Sequence, residues 1–145
     1  MTTHRRLGRL ALAGGVVLSV SLAGIAAAWS NAAHAGPTTV DIPIRYSHYE
    51  RATITVRART AITFVLHNGD PIDHEWIVGD AATHDRHRTG TEPVHGSRPT
   101  EVTIPAGATG TTTVTFKTPG TYQYICHLPG HEAYGMVGTV VVEGP

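Results

Sequence analysis

The sequence predicts an all-β domain, folded as a Greek-key β-sandwich of about eight strands. After residue 35 the chain contains 19 Thr, 11 Val and 8 Ile but only two Leu, and β-branched side chains fit a pleated strand better than a helix. All nine prolines and twelve of the sixteen glycines also lie after residue 35, where they separate short segments of alternating polarity. No segment shows the 3.6-residue apolar period of an amphipathic helix.

Eight segments have strand character, and turn residues separate several of them. In chain order they cover residues 38–45, 52–57, 61–67, 75–78, 100–104, 110–116, 121–125 and 138–142. Turns are predicted at 68–71, 105–107 and 118–120, which are rich in Gly, Pro, Asn and Asp.

The longest segment without strand character covers residues 79–99 and contains His84, His87 and His95. A loop of this length in a small domain tends to be functional or mobile. The three histidines are candidates for a second metal site, but a solvated polar loop explains the same composition. We expect the solvated loop.

Residues 1–35 predict a secretory signal peptide, followed by one domain at 36–145. Three arginines precede an uncharged run at 10–29, and Ala33, His34 and Ala35 follow as a cleavage site. An uncleaved membrane anchor is the alternative, because a run of this length just spans a bilayer. The glycine and alanine content of the run favours cleavage, so we expect an exported protein attached to the membrane only if the segment is retained.

The domain has eight basic and eleven acidic residues and no basic tract, so its charge does not suggest nucleic-acid binding. It contains one cysteine, Cys126. In an exported chain a lone thiol is paired between molecules, reactive, or a metal ligand. We expect a monomer with the thiol as a ligand.

A short C-terminal segment carries the metal-binding pattern. Four residues separate Cys126 from His131, and four more separate His131 from Met136, with a Pro-Gly turn between the first two. One loop can therefore direct a thiolate, an imidazole and a thioether toward one point. A second imidazole must come from another strand, and His74 stands where a predicted turn enters a strand. Two His and one Cys with a weak axial Met are typical of blue copper sites.

These residues resemble the cupredoxins, the group of plastocyanin, amicyanin and azurin. The resemblance covers roughly residues 52–142 and is sharpest at 73–78 and 122–142. It implies one type 1 copper ion bound by His74, Cys126, His131 and Met136 on a β-sandwich. It also implies a single-electron carrier that meets a redox partner protein at the His131 edge. The long segment at 79–99 and the extra His127 depart from the pattern and leave the partner surface open.

Other interpretations use some of the same residues. A copper-delivery protein outside the cytoplasm would need the same ligands and is the main alternative. A multicopper oxidase needs a histidine where Ile125 stands, and a cysteine nucleophile would have no use for the thioether, so we expect no enzyme. His67 competes with His74 for the first ligand position, but it precedes a turn and should face solvent.

Overall fold

The fold is that of a computed structural model, which describes residues 38–90, 95 and 98–144. The predicted signal peptide lies outside the described residues. Within the described part of the chain, no helix combines the length and apolar composition that crossing a bilayer requires.

Nine strands and one helix make up the described domain. In chain order they are β1 (Thr39–Arg45), β2 (His48–Tyr49), β3 (Thr53–Arg57), β4 (Ala61–Asn68), β5 (His74–Gly79), α1 (Ala81–Thr89), β6 (Glu101–Ile104), β7 (Thr109–Thr115), β8 (Gly120–Ile125) and β9 (Val137–Glu143). The predicted β-sandwich is confirmed. Among the strands, the sequence prediction omitted only the two-residue β2, which is too short to show an alternating pattern.

The strands form two sheets. One has the order β2-β1-β4-β7 and the other the order β3-β9-β8-β5-β6. The pairs β1–β4 and β3–β9 are parallel, and the remaining pairs are antiparallel. In β1 and β4 every second side chain is buried, as expected for strands with one face on a core.

The core between the sheets is apolar and contains large rings. Phe64 of β4 and Trp76 of β5 are fully buried, with their ring centroids 4.8 Å apart. Cys126 and Met136 belong to the same buried cluster. Two of the four candidate ligands thus belong to the buried core.

Strand β5 is buried on both faces, so its residues do not alternate between the core and solvent. Trp76 and Val78 lie in the core cluster. The alternate residues Glu75 and Ile77 are also buried, and helix α1 packs against this strand. The strand that begins with His74 is therefore packed on one face against the core and on the other against α1.

The prediction of an irregular solvated loop at 79–99 is wrong for residues 81–89, which form α1. The helix has no apolar stripe, and His84 is its one buried residue. Capping holds it instead: the Asp80 side chain accepts a hydrogen bond from Thr83 N, 2.9 Å. Basic residues fill the last turn, where they complement the helix dipole.

Candidate metal centre

Neighbouring strands bring the predicted ligands to one end of the second sheet. Strands β5 and β8 are antiparallel, with Ile77 opposite Ile125. The first residue of β5, His74, therefore lies near Cys126, which directly follows β8. The loop from 127 to 135 then returns the chain to Met136 at the start of β9.

Three of the four predicted ligands present their donor atoms to one point. His131 Nδ1 lies 3.2 Å from His74 Nδ1 and 3.3 Å from Cys126 Sγ, and donor atoms from all three residues lie within 4.8 Å of one another. Bonds of about 2.0–2.3 Å, as zinc makes to nitrogen and sulfur, place neighbouring donors of one ion roughly 3.3–3.8 Å apart. The spacing fits a single bound metal ion.

Met136 closes the loop behind these donors. Its N–H donates to His131 O, 3.0 Å, and its carbonyl accepts from Cys126 N, 3.2 Å. The Met136 side chain is fully buried in the core cluster that also contains Cys126. These backbone bonds therefore hold Met136 beside Cys126 and His131.

Two glycines allow the loop to turn so tightly. Gly130 and Gly135 have φ of 87° and 91°, a region that costs other residues energy. Backbone hydrogen bonds from His131 N to Leu128 O, 3.0 Å, and from Tyr134 N to Gly130 O, 3.0 Å, complete the turns. The position of His131 is thus set by local backbone geometry.

The cysteine sulfur is buried but accepts a backbone hydrogen bond. The Glu75 N–H donates to Cys126 Sγ, 3.3 Å. Burial raises the pKa of the Cys126 thiol to about 11, so the thiolate needs a cation beside it. A bound metal ion supplies that charge.

Asp70 orients His74, and sequence reasoning missed this role. Asp70 Oδ2 lies 2.8 Å from His74 Nε2. A carboxylate only accepts, so His74 carries its proton on Nε2 and presents the Nδ1 lone pair to the cluster. This is the arrangement expected of a metal-binding histidine. Its only signal in the sequence is an acid four residues before a candidate ligand.

Asp70 is itself held by a strained turn. Its two carboxylate oxygens accept hydrogen bonds from Tyr46 N, 2.7 Å, and Ser47 N, 2.8 Å. Burial raises the pKa of Asp70, but these backbone bonds and the contact with His74 outweigh it and lower the pKa below its ordinary value. Tyr46 and Ser47 have φ of 54° and 55°, so the carboxylate stabilises a backbone that these residues rarely adopt.

His67 lies outside the cluster, as predicted. It is exposed, and its Nε2 lies 2.9 Å from Asp41 Oδ1.

The histidines of the 79–99 segment separate into two groups. His84 is buried and has both ring nitrogens engaged, with His127 at 3.0 Å and the Gln123 carbonyl at 3.3 Å. Burial and the neighbouring His84 lower the pKa of His127 to about 4, and burial also lowers the pKa of His84, so the neutral forms predominate at pH 7. His87 and His95 instead lie together with Glu101. The expectation of solvated histidines is wrong for the buried His84 and His95.

Comparison with known proteins agrees with this geometry. Residues 38–143 match the model of the copper binding proteins of the plastocyanin/azurin family. A relative called copper-resistant cuproprotein CopI, from Rubrivivax gelatinosus, is 36% identical over 97 residues, which are 65% of this chain. The match covers 59% of that relative, so the chain spans well under two thirds of its length.

Two solved structures share the fold. The dithionite-reduced auracyanin of Roseiflexus castenholzii is 24% identical, with a TM-score of 0.63 over 74% of this chain and 98% of that one. Auracyanin A, described as a "blue" copper protein of Chloroflexus aurantiacus, is 25% identical, with a TM-score of 0.59 over 74% of this chain and 100% of that one. The chain thus belongs to the plastocyanin/azurin family of copper-binding proteins, and the cluster at the end of its second sheet is a type 1 copper site.

Proposed function

We propose that this protein is an exported single-electron carrier in which His74, Cys126, His131 and Met136 bind one copper ion. The observation that carries the proposal is the closed donor set. His74, Cys126 and Met136 are fully buried, so the site leaves little room for a substrate molecule. Copper bound here supplies reversible one-electron chemistry, because thiolate and thioether suit Cu(I) and imidazole suits both oxidation states.

The protein's own residues keep the site rigid and dry. Asp70 fixes the His74 ring, and the Glu75 N–H fixes the sulfur. The core between two sheets surrounds Cys126 and Met136. A preformed, water-excluded site needs little rearrangement when its charge changes, which favours fast electron transfer.

The partly exposed His131 supports electron exit at the copper end of the domain. Three exposed large apolar residues lie on the segments that build the site: Tyr46, whose backbone binds Asp70, Ile72 in the turn before His74, and Tyr134 in the ligand loop, with 88%, 46% and 75% exposure. These exposed apolar side chains support our proposal that a redox partner protein docks briefly at this end of the domain.

Export is part of the proposal. Residues 1–35 have the charge and hydropathy pattern of a signal peptide, and the mature chain should begin near Gly36. Terminal sequencing of protein recovered outside the cytoplasm is the check, and full-length chain in membrane fractions would contradict it.

Copper delivery or copper resistance is the second candidate. The specific observation in its favour is the name of the Rubrivivax relative, a copper-resistant cuproprotein. A delivery protein would use the same ligands but release Cu(I) readily.

The test begins with the visible thiolate-to-copper band of the purified mature chain. Cys126→Ser should abolish the band, because a hydroxyl cannot replace the covalent copper–sulfur bond. Met136→Leu should keep a shifted band, since the axial ligand is weak. His67→Gln, at an exposed histidine outside the site, is the control. An unchanged band in Cys126→Ser would refute the ligand assignment.

Function is then decided with the copper-loaded protein. Reduction and reoxidation by a one-electron acceptor should be complete and repeatable, with copper retained against a Cu(I) chelator. Rapid loss of Cu(I) to the chelator would favour delivery. Sustained consumption of oxygen or nitrite above that of free copper, abolished by Cys126→Ser, would show an enzyme.

A further inference from the structure

A second group of metal-ligating side chains lies on the outer face of the second sheet. Glu101 of β6 pairs with Ile77 of β5, so its side chain shares the face that α1 covers. His87 comes from α1, and His95 follows it. Donor atoms of His87, His95 and Glu101 all lie within 4.8 Å of one another.

Hydrogen bonding prepares His87 as a ligand. Its Nδ1 lies 2.8 Å from the carbonyl oxygen of Thr83. A carbonyl only accepts, so Nδ1 carries the proton and Nε2 presents a lone pair. That Nε2 lies 3.7 Å from Glu101 Oε2. His74 of the copper site is held in the same way by Asp70, with its ring nitrogens interchanged.

The two oxygens of Glu101 face different surroundings. Oε1 accepts hydrogen bonds from the guanidinium groups of Arg86, 2.8 Å, and Arg98, 3.0 Å. Oε2 lies 3.7 Å from His87 Nε2 and 3.9 Å from His95 Nδ1, and it also accepts a longer hydrogen bond from Arg98, 3.3 Å. Both arginine side chains are more than half exposed, whereas the Glu101 side chain is 5% exposed. Solvent therefore screens the arginines, and Oε2 is the oxygen that lies nearer the two histidines.

A second carboxyl group, that of Glu75, lies beside the cluster. Glu75 Oε1 lies 3.5 Å from His95 Nε2, and both side chains are buried. A cavity of about 280 Å³ opens at Glu75, His87 and His95 and reaches His127 and Leu128. An ion and its water ligands have room to enter there.

We propose that His87, His95 and Glu101 form a second metal site for a divalent cation of borderline softness, such as Zn²⁺. Two imidazoles and one carboxylate are a common set of protein ligands for zinc and leave further coordination positions for water. The donors are spread somewhat wider than around a bound ion, so the side chains move closer together on binding. The site is separate from the copper site and does not depend on the electron-carrier proposal.

Zinc titration of the copper-loaded protein tests the site. Isothermal calorimetry with Zn²⁺ should show one equivalent bound while the visible copper band keeps its intensity, which shows that zinc has not displaced copper. His87→Gln and, separately, Glu101→Gln should weaken zinc binding about tenfold or more. His67→Gln, which alters an exposed histidine paired with Asp41, should bind zinc like the unaltered protein.

The copper band also reports whether each variant has folded. His87→Gln alters a helix residue outside the apolar core, so it decides the matter if Glu101→Gln loses the band. Failure to bind zinc in the unaltered protein, or equal affinity in His87→Gln, would overturn the proposal. Loss of the copper band in proportion to added zinc would show instead that zinc enters the copper site.

Discussion

Two histidine–aspartate pairs show how burial changes the meaning of one contact. His74 lies 2.8 Å from Asp70, and His67 lies 2.9 Å from Asp41. The His74 side chain has no exposure, whereas that of His67 is 45% exposed. In water such a pair contributes little. In the core, the Asp70 carboxylate fixes the proton position of His74 and thereby the direction of its lone pair.

Asp70→Asn should weaken copper binding about 10- to 100-fold. Asp70 accepts from Tyr46 N, Ser47 N and His74 Nε2. An amide has only one acceptor oxygen, so at least one of these donors would face the NH₂ group. Competition with a calibrated chelator measures the affinity.

Asp41→Asn alters the exposed pair and provides the matched control, which should bind copper normally. If both variants lost affinity equally, the effect would not come from the orientation of His74.

At the scale of elements, the sequence predicted the features that depend on patterns between residues close together in the chain. Alternating β-branched residues located the strands, and the spacing of Cys126, His131 and Met136 located the ligand loop. Helix α1 was not predicted because it has no apolar stripe. Its stability comes from a local cap at Asp80 and from packing on β5, and the packing is a tertiary feature. The grouping of His87 with Glu101 was not predicted either, because it depends on how α1 packs across the sheet.

The N-cap of α1 should control the order of this helix. Asp80 accepts from both the backbone N–H and the hydroxyl of Thr83, at 2.9 Å each, and these bonds lower the pKa of Asp80. Asp80→Ala should therefore speed amide hydrogen exchange in residues 81–89, whereas Asp80→Asn, which keeps an acceptor oxygen, should not. Equal protection in the two variants would show that the cap is dispensable.

The same cap gives a pH dependence with a definite sign. Because the pKa of Asp80 is lowered on folding, its contribution is complete above the ordinary aspartate pKa of about 4. It is lost as the pH falls through the lower value of the folded state. Exchange in α1, corrected for its intrinsic pH dependence, should accelerate in that acidic window in the unaltered protein and change much less in Asp80→Ala.

At the scale of the whole molecule, the ligands come from distant parts of the chain. His74 begins β5, while Cys126, His131 and Met136 surround the connection between β8 and β9. A bound ion therefore joins segments more than fifty residues apart in the sequence. The unfolded chain holds His74 far from the other three ligands and therefore binds the ion less tightly than the folded domain does.

Removal of copper should accordingly lower the thermal stability of the domain. A ligand that binds only the folded state at 1,000 times its dissociation constant stabilises that state by about 4 kcal/mol. For a domain of roughly 100 residues this corresponds to a change in Tm on the order of 15–20 °C. Calorimetry of the copper-loaded protein and of the chelator-treated protein measures the difference.

The Tm of Cys126→Ser should respond far less to added copper, because the variant lacks the thiolate ligand. A Tm that does not depend on copper in the unaltered protein would contradict tight binding at this site, whereas an equal rise in both proteins would place the stabilising ion elsewhere.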